Sequence, residues 1–354
     1  MSRPASETPS STTGFPEVTA DELLSAGFGA ITDRAWFVRW DRSFPVLERL
    51  PETVVMRTSG STGPGRDWPR TREQLWTEAG LLADLLRPYD PEAVVAFAPP
   101  RHLFGALASV LVPARLGLPV WYRPGFFGSL PPVAGKRVAV VAVPWIFPLL
   151  LAHPAWLRTV ADITVLHSTA TLPATAGEFL ATAAHARIIE VFGSTETGGV
   201  AKRRWDGGNP LWELFDDVTV ESCTGGEVPL VVRSPRLAGG ARTWQTDDVV
   251  ELADARRFRF TGRRGRLVKV NGRRLNLDEL EIALRAVVRC ADLALVPVAD
   301  AMTGEHVELL VVPSGGIRPD LGPAIDVLGL RPRRVRVVDR IDRTETGKLR
   351  LVTA

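Results

Sequence analysis

Lysine is nearly missing from this chain. Of 43 basic residues only four, Lys136, Lys202, Lys269 and Lys348, are lysines, and the other 39 are arginines. A lysine kept against that bias marks a place where a compact, mobile ammonium is needed and a planar guanidinium will not serve. Cysteine is equally scarce: Cys223 and Cys290 stand far apart without C-x-x-C spacing, which excludes a disulfide framework and a zinc site and fits a reducing cytoplasm. No run approaches the roughly 18 apolar residues of a membrane span. Residues 1–17, rich in Ser, Thr and Pro, lack the apolar centre of a signal peptide and are expected to form a disordered tail. Arginines cluster at 256–274 and 331–350 without interleaved aromatics or a recognisable module, so nucleic acid is not indicated. Solvated faces, or a docking surface for an acidic partner, are expected instead.

What is present is an ordinary globular composition. With 354 residues, 45% of them hydrophobic, and a net charge of +3, the chain can bury a sizeable core and is expected to hold two domains. Apolar, β-branched runs at 94–98, 137–143, 163–167 and 187–191 are spaced widely enough for intervening helices, which reads as α/β with mainly parallel strands. After Gly262 the texture changes to basic turns. A helix with Leu277, Leu280, Leu284 and Val287 on one side then follows, with strands near 307–312 and 335–338. The spacing predicts a large domain over 18–261 and a small α+β domain over 262–354.

The densest chemical signal is Thr58-Ser59-Gly60-Ser61-Thr62-Gly63-Pro64-Gly65, placed where the apolar stretch Val54-Val55-Met56 gives out. Glycines let backbone amides close on an anion, and hydroxyls add donors to phosphoryl oxygens. Gly60 to Gly65 has Walker-type spacing, but Arg66 and Asp67 stand where Lys and Ser or Thr would be required, which excludes a P-loop NTPase.

Four later segments follow in order: Phe192-Gly193-Ser194-Thr195-Glu196-Thr197-Gly198; Trp244-Gln245-Thr246-Asp247-Asp248; Gly262-Arg263 with Lys269-Val270-Asn271-Gly272-Arg273-Arg274; and Thr344-Glu345-Thr346-Gly347-Lys348. Together with the first loop they closely resemble the core motifs of the adenylate-forming superfamily, which includes acyl- and aryl-CoA synthetases, peptide adenylation domains and luciferases. The resemblance runs from about residue 54 to the C-terminus.

That resemblance implies ATP-dependent activation of a carboxylic acid to an acyl-adenylate, with Mg²⁺, and transfer to a pantetheine thiol of CoA or of an acyl carrier protein. It implies that Thr58, Ser59, Gly60, Ser61, Thr62 and Gly63 wrap the β- and γ-phosphates, with Arg66 where the family usually has Lys. Phe192 would stack on adenine within the Gly193-Ser194 turn, Thr195 would meet the α-phosphate, and Glu196 would hold Mg²⁺. Asp248, or its neighbour Asp247, would accept the ribose hydroxyls, and Arg263 would add a ribose or phosphate contact. Lys348 would lie between the carboxylate and the α-phosphate. Lys269 would serve the thioester step after a swing of the small domain about Gly265, where the family usually has Asp or Lys. His102 resembles a family histidine beside the acid pocket, although a lone His beside apolar residues is as often structural.

The pocket is expected from 102–128, 167–172 and 192–199, where Phe104, Phe126 and Phe127 suit an aromatic or medium apolar acid and no Asp stands ready for an α-amino group. Only 57 residues precede the phosphate loop, which resembles compact ligases of natural-product pathways and leaves much of the usual first subdomain unaccounted for. Transfer of the adenylate to an amine, or a degenerate protein that only binds nucleotide, are the alternatives from other classes.

Overall fold

A computed structural model describes residues 14–343 apart from 26, 59–65, 126–127, 222–225, 271–272, 301–303, 315–319, 321 and 330, together with residue 349. Helices α1 (Ala20–Ser25) and α2 (Gly27–Ala30), strand β1 (Trp36–Val38) and helix α3 (Val46–Arg49) come first. They carry Leu23, Leu24, Ile31, Trp36, Trp40 and Val46 into the main core, each close to fully buried. Complete burial of one such side chain contributes about 1.5–3 kcal/mol, so this short segment is an integral layer of the fold. Of the tail expected over residues 1–17, residues 1–13 lie outside the described residues, and residues 15–17 are held against the fold. Phe15 is buried, the Phe37 amide donates to Pro16 O at 2.8 Å, and Glu17 bridges to Phe37. An apolar side chain with a strand edge beside it has a reason to order.

The hairpin β2 (Thr53–Thr58) and β3 (Arg66–Thr71) leads into α4 (Arg72–Leu86). Helix α4 opens on a reciprocal cap in which Thr71 accepts from the Gln74 amide and the Gln74 side chain accepts from the Thr71 amide. Strand β4 (Ala93–Ala96) follows, then α5 (Leu103–Gly105), a π-helical stretch Ala106–Leu111 and α6 (Val112–Leu116). Pro113 lacks the N–H that would close a regular turn, which accounts for a widened coil just before it.

Next come β5 (Val120–Tyr122), β6 (Arg137–Ala142), α7 (Ile146–Leu151), α8 (Pro154–Thr159), β7 (Asp162–His167), α9 (Thr175–Thr182), β8 (Ala186–Ser194) and β9 (Gly198–Trp205). Strands β10 (Trp212–Leu214), β11 (Thr219–Val220), β12 (Glu227–Arg233), β13 (Thr243–Leu252) and β14 (Arg257–Arg263) complete a twelve-stranded sheet of order β1-β5-β4-β6-β7-β8-β9-β10-β14-β13-β12-β11. The run β5-β4-β6-β7-β8 is parallel, as the apolar runs and their spacing predict, and everything beyond β8 is antiparallel. Alternation within the strands separates two cores. Val94 and Ala96 of β4 pack on the side of α4 and the π stretch, whereas Ala93 and Val95 pack on the side of α7 and α9.

A third core begins at Val268. It joins the hairpin β15 (Leu267–Val270) and β16 (Arg273–Asn276), helix α10 (Leu277–Val287), the antiparallel pair β17 (Asp292–Asp300) and β18 (Gly304–Val312) and helix α11 (Gly322–Leu328), while β19 (Arg334–Val337) adds a parallel edge to β18 with its side chains exposed. Leu277 and Leu284 of α10 are fully buried and Leu280 packs against them, but Val287, expected on the same face, is 41% exposed. It is the last residue of the helix. Cys290 is a free thiol, and Cys223 lies outside the described residues. Among the described residues no helix is long and apolar enough to cross a membrane.

Candidate active site

Two hairpins meet at the candidate site. In the first, Thr58 pairs with Arg66, so the seven residues between them leave and return at one end of β2–β3. Ser59, Gly60, Ser61, Thr62 and Gly63 fall in that loop, outside the described residues. Asp67, which displaces the Walker hydroxyl, is held on the exposed side by Arg57, whose Nε donates to Oδ1 at 2.7 Å.

In the second hairpin Ser194 pairs with Gly198, leaving Thr195–Thr197 as a three-residue tip. Gly198 closes it at φ +71°, the left-handed conformation such loops need at that position. The Ser194 amide donates to Thr197 Oγ1 at 3.1 Å and the Thr197 amide donates to Ser194 Oγ at 3.2 Å, so these two hydroxyls knit the turn. The half-buried side chains of Thr195 and Glu196 make no hydrogen bond or ion pair among the described residues.

Direct contacts draw the separate motifs together. Arg70 of the first hairpin donates through Nη2 to Thr195 O at 2.7 Å, and Trp68 meets Trp244 edge to face at 5.3 Å. Phe192 is half-buried in a nest of Trp212, Phe258 and Phe260, with ring centroids 5.3, 5.5 and 5.8 Å away. Asp248 is 8% exposed and Asp247 is exposed; the Asp248 carboxylate accepts from Arg263 Nε at 2.8 Å. Four of the five sequence segments are thereby neighbours in space.

The remaining candidates are placed less directly. His102 stands just ahead of α5, with its carbonyl accepting from the Ala106 amide at 2.8 Å. Gly265 lies in the short turn Arg264–Arg266 between the large sheet and β15, and Lys269 lies on β15 opposite Arg274. Lys348 lies outside the described residues. Beyond β7, Thr169 adopts φ +85°, a costly conformation for a β-branched residue, inside the expected 167–172 pocket wall.

The residue-by-residue reading of the sequence misses a buried polar frame behind the second hairpin. Arg70, Glu78 and Arg236 are each about 2% exposed or less. The Gly199 amide donates to Glu78 Oε1 at 2.6 Å. Arg236 donates to Gly199 O at 2.7 Å and forks onto both Asp217 oxygens at 2.7 and 2.9 Å. Burial opposes the charge on Arg236, yet Asp217 and Glu78 outweigh it and hold this guanidinium above its usual range. Arg70, by contrast, is pulled below its usual range by burial, against the lift from Glu78. The one sequence signal was the charge of Glu78 on the otherwise apolar face of α4 formed by Leu75, Ala79 and Leu82.

No group of three His, Cys, Asp or Glu side chains able to hold a metal occurs among the described residues. An all-protein cage is therefore not built there. The Glu196 carboxylate, which makes no hydrogen bond among the described residues and lies within the field of Arg70, does suit Mg²⁺, which keeps several waters and takes its remaining oxygens from phosphates.

No family model matches the chain. A 4-coumarate–CoA ligase from Rhodobacter capsulatus is 27% identical over 340 residues, which is 90% of this chain and 81% of that protein. This likeness along most of the chain supports the resemblance to the adenylate-forming superfamily that the motifs carry. Within that superfamily it sides with the AMP-forming acid–CoA ligases, the class of its named relatives. A second 4-coumarate–CoA ligase, from Halorhodospira halophila, is 27% identical over 67% of this chain and 58% of its own length. The same fold is found in the ATP-bound MatB structure from Rhodopseudomonas palustris, at TM-score 0.69 and 20% identity over 84% of this chain. It is found again in a benzoate CoA ligase from Burkholderia xenovorans, at TM-score 0.67 and 18% identity over 80% of this chain. The chain covers 66% and 65% of these two solved ligases. For an adenylate-forming protein the approach of the two hairpins has a direct chemical meaning, because one bears the expected phosphate loop and the other bears Thr195 and Glu196.

Proposed function

We propose that this protein activates an aromatic or medium apolar carboxylic acid with ATP, releasing pyrophosphate, and passes the acyl group to a pantetheine thiol. The observation that carries the reading is the Arg70–Thr195 contact, which sets the tip of the Thr195–Glu196 hairpin against the hairpin of the phosphate loop. A carboxylate and a triphosphate repel one another, so the first step depends on donors and cations placed before the reactants arrive. Residues 58–63 would cradle the β- and γ-phosphates, with the Arg66 guanidinium beside them.

Thr195 would donate to the α-phosphate, while Asp248 would accept from the ribose hydroxyls, its second oxygen being set by Arg263. The Phe192 ring, packed on three sides by aromatics, would offer its open side to adenine. Glu196 would hold Mg²⁺, which supplies charge neutralisation on the phosphates when bound. Lys348 would place its ammonium between the attacking carboxylate and the α-phosphate. Lys269 would act after rotation of the small domain about Gly265, when the pantetheine thiol gives up its proton, attacks the acyl carbonyl of the adenylate and AMP leaves. His102 and Thr169 would flank the acid.

The Rhodobacter relative, named for 4-coumarate and CoA, supports an aryl acid and favours CoA over a carrier protein as acceptor. The free Cys290 thiol agrees with work in a reducing, cytoplasmic setting. Lys269→Ala tests the division of labour. Acid-dependent ATP–pyrophosphate exchange is expected to persist in this variant while thioester formation falls by roughly 100-fold or more, the usual scale for one positioned charged group. Unchanged thioester formation would contradict the assignment, and acyl transfer to an amine that survives the substitution would point to the non-thioester alternative.

A further inference from the structure

The frame Arg70–Glu78–Arg236–Asp217 is unusual in what it grips. A buried ion network is a poor device for stability, because apolar side chains of equal volume commonly do as well or better. Here the donors and acceptors are directed at the main chain of one turn. Arg70 Nη2 reaches Thr195 O at 2.7 Å, and its Nη1 reaches Arg236 O at 2.5 Å. Glu78 takes the Gly199 amide at 2.6 Å, and Arg236 Nη2 takes Gly199 O at 2.7 Å. The Glu196 carbonyl accepts from the Ala238 amide at 2.9 Å, one residue on from the Pro235-Arg236-Leu237 segment that Gln74 of α4 holds through Pro235 O and Leu237 O.

Thr195, Glu196 and Gly199 are thus fixed by their backbones from three elements, while the Thr195 and Glu196 side chains make no hydrogen bond among the described residues and the Glu196 carboxylate feels only the nearby charge of Arg70. Glu78 sits between the two guanidiniums, 3.6 Å from Arg70 and 3.5 Å from Arg236. A Cβ at Gly198 would come within 2.6 Å of Glu78 Oε2, so the glycine also gives the carboxylate room to reach the turn.

We infer that Glu78 and Arg70 are positioning residues for the nucleotide site, holding the Thr195–Glu196 turn at the distance from the phosphate-loop hairpin that Mg·ATP requires. This rests on the proposed ligase reading for the identity of the ligand and extends it to residues that touch neither substrate nor metal. Its chemical content is preorganisation: a carboxylate that would hold a metal through one oxygen pair is only as well placed as the backbone beneath it.

The experiment compares wild type, Glu78→Gln and Arg70→Lys. Glu78→Gln keeps the acceptor for Gly199 but removes the charge between two arginines, and it could fail to fold. Arg70→Lys keeps the charge and loses only the fork that reaches two carbonyls at once, so it decides the question on folded protein. Two readouts are taken: the dissociation constant for Mg·ATP by calorimetric titration, and the Mg²⁺ and ATP dependence of pyrophosphate exchange beside the KM for the acid. The expected result is a weakening of Mg·ATP binding and a rise in half-saturating Mg²⁺ of about 10–100-fold, the range typical of residues that orient a metal ligand. The KM for the acid should stay within about threefold, a shift smaller than one ordinary hydrogen bond. A loss of maximal rate with Mg·ATP affinity unchanged, or equal loss for acid and nucleotide, would overturn the inference and leave the frame a merely structural one. Wild type that binds Mg·ATP but exchanges no pyrophosphate would overturn the ligase reading instead, with the binding titration still deciding the role of Glu78 and Arg70.

Discussion

Asp247 and Asp248 are chemically alike, and the sequence alone left open which of them meets the ribose; their surroundings separate them. Asp247 points to solvent, whereas Asp248 is buried, its amide donating to Thr246 Oγ1 at 3.1 Å and its carboxylate accepting from Arg263. A buried carboxylate with one oxygen fixed and the other available suits two vicinal hydroxyls. Asp248→Asn should therefore raise the KM for ATP by about 10–100-fold, corresponding to roughly 1.5–3 kcal/mol for a hydrogen bond to a charged group. Asp247→Asn should change it little. Steady-state exchange kinetics at varied ATP check this, and a larger effect at Asp247 would reverse the assignment. Arg66 shows the same principle from the other side: its charge matches the family lysine, and its place at the mouth of the β2–β3 hairpin is the ground on which a phosphate role is proposed for it.

At the scale of elements, the turn between β8 and β9 carries most of the site's precision. Gly198 meets two demands there, a left-handed backbone and room for the Glu78 carboxylate. Gly198→Ala should lower stability by roughly 1–3 kcal/mol through strain alone and weaken nucleotide binding in the same variant. A thermal melt with a Mg·ATP titration measures both, and an unperturbed variant would show that the turn tolerates a Cβ. The parallel strands and the glycine-rich turns were legible in the sequence because period and composition are local properties. The frame was not, because Arg70, Glu78, Asp217 and Arg236 are scattered over 167 positions and acquire their meaning only when β3, α4 and the end of β12 come together. Nor was the order of Phe15 legible, since only the edge of β1 gives it a partner.

At the scale of the whole molecule, the large sheet and the third core are joined through the turn Arg264–Arg266. Across that junction Asn276, which caps α10 by accepting from the Asp278 and Glu279 amides, donates its Nδ2 to Thr261 O, and Gly262 is placed so close that a Cβ would overlap the Asn276 side chain. Arg266 is committed to the small unit, pairing with Asp278 at 2.9 Å and with Glu281. Gly265 therefore stands between an anchored residue on each side, which is where a swing would concentrate its dihedral change. Gly265→Pro should impair thioester formation more than pyrophosphate exchange, and equal loss of the two would contradict a hinge at this position.

The two lysines retained in motifs, Lys269 and Lys348, are assigned to opposite half-reactions, so the account as a whole stands on adenylation being real. Acid-dependent ATP–pyrophosphate exchange, run against aryl, fatty and amino acids with Lys348→Ala beside wild type, tests it most directly. Exchange with an aryl or medium apolar acid that falls by about 100-fold or more in the variant, as expected for a cation at the developing charge, is the predicted result. A protein that binds ATP yet exchanges with no acid, or a variant that exchanges as well as wild type, would contradict it.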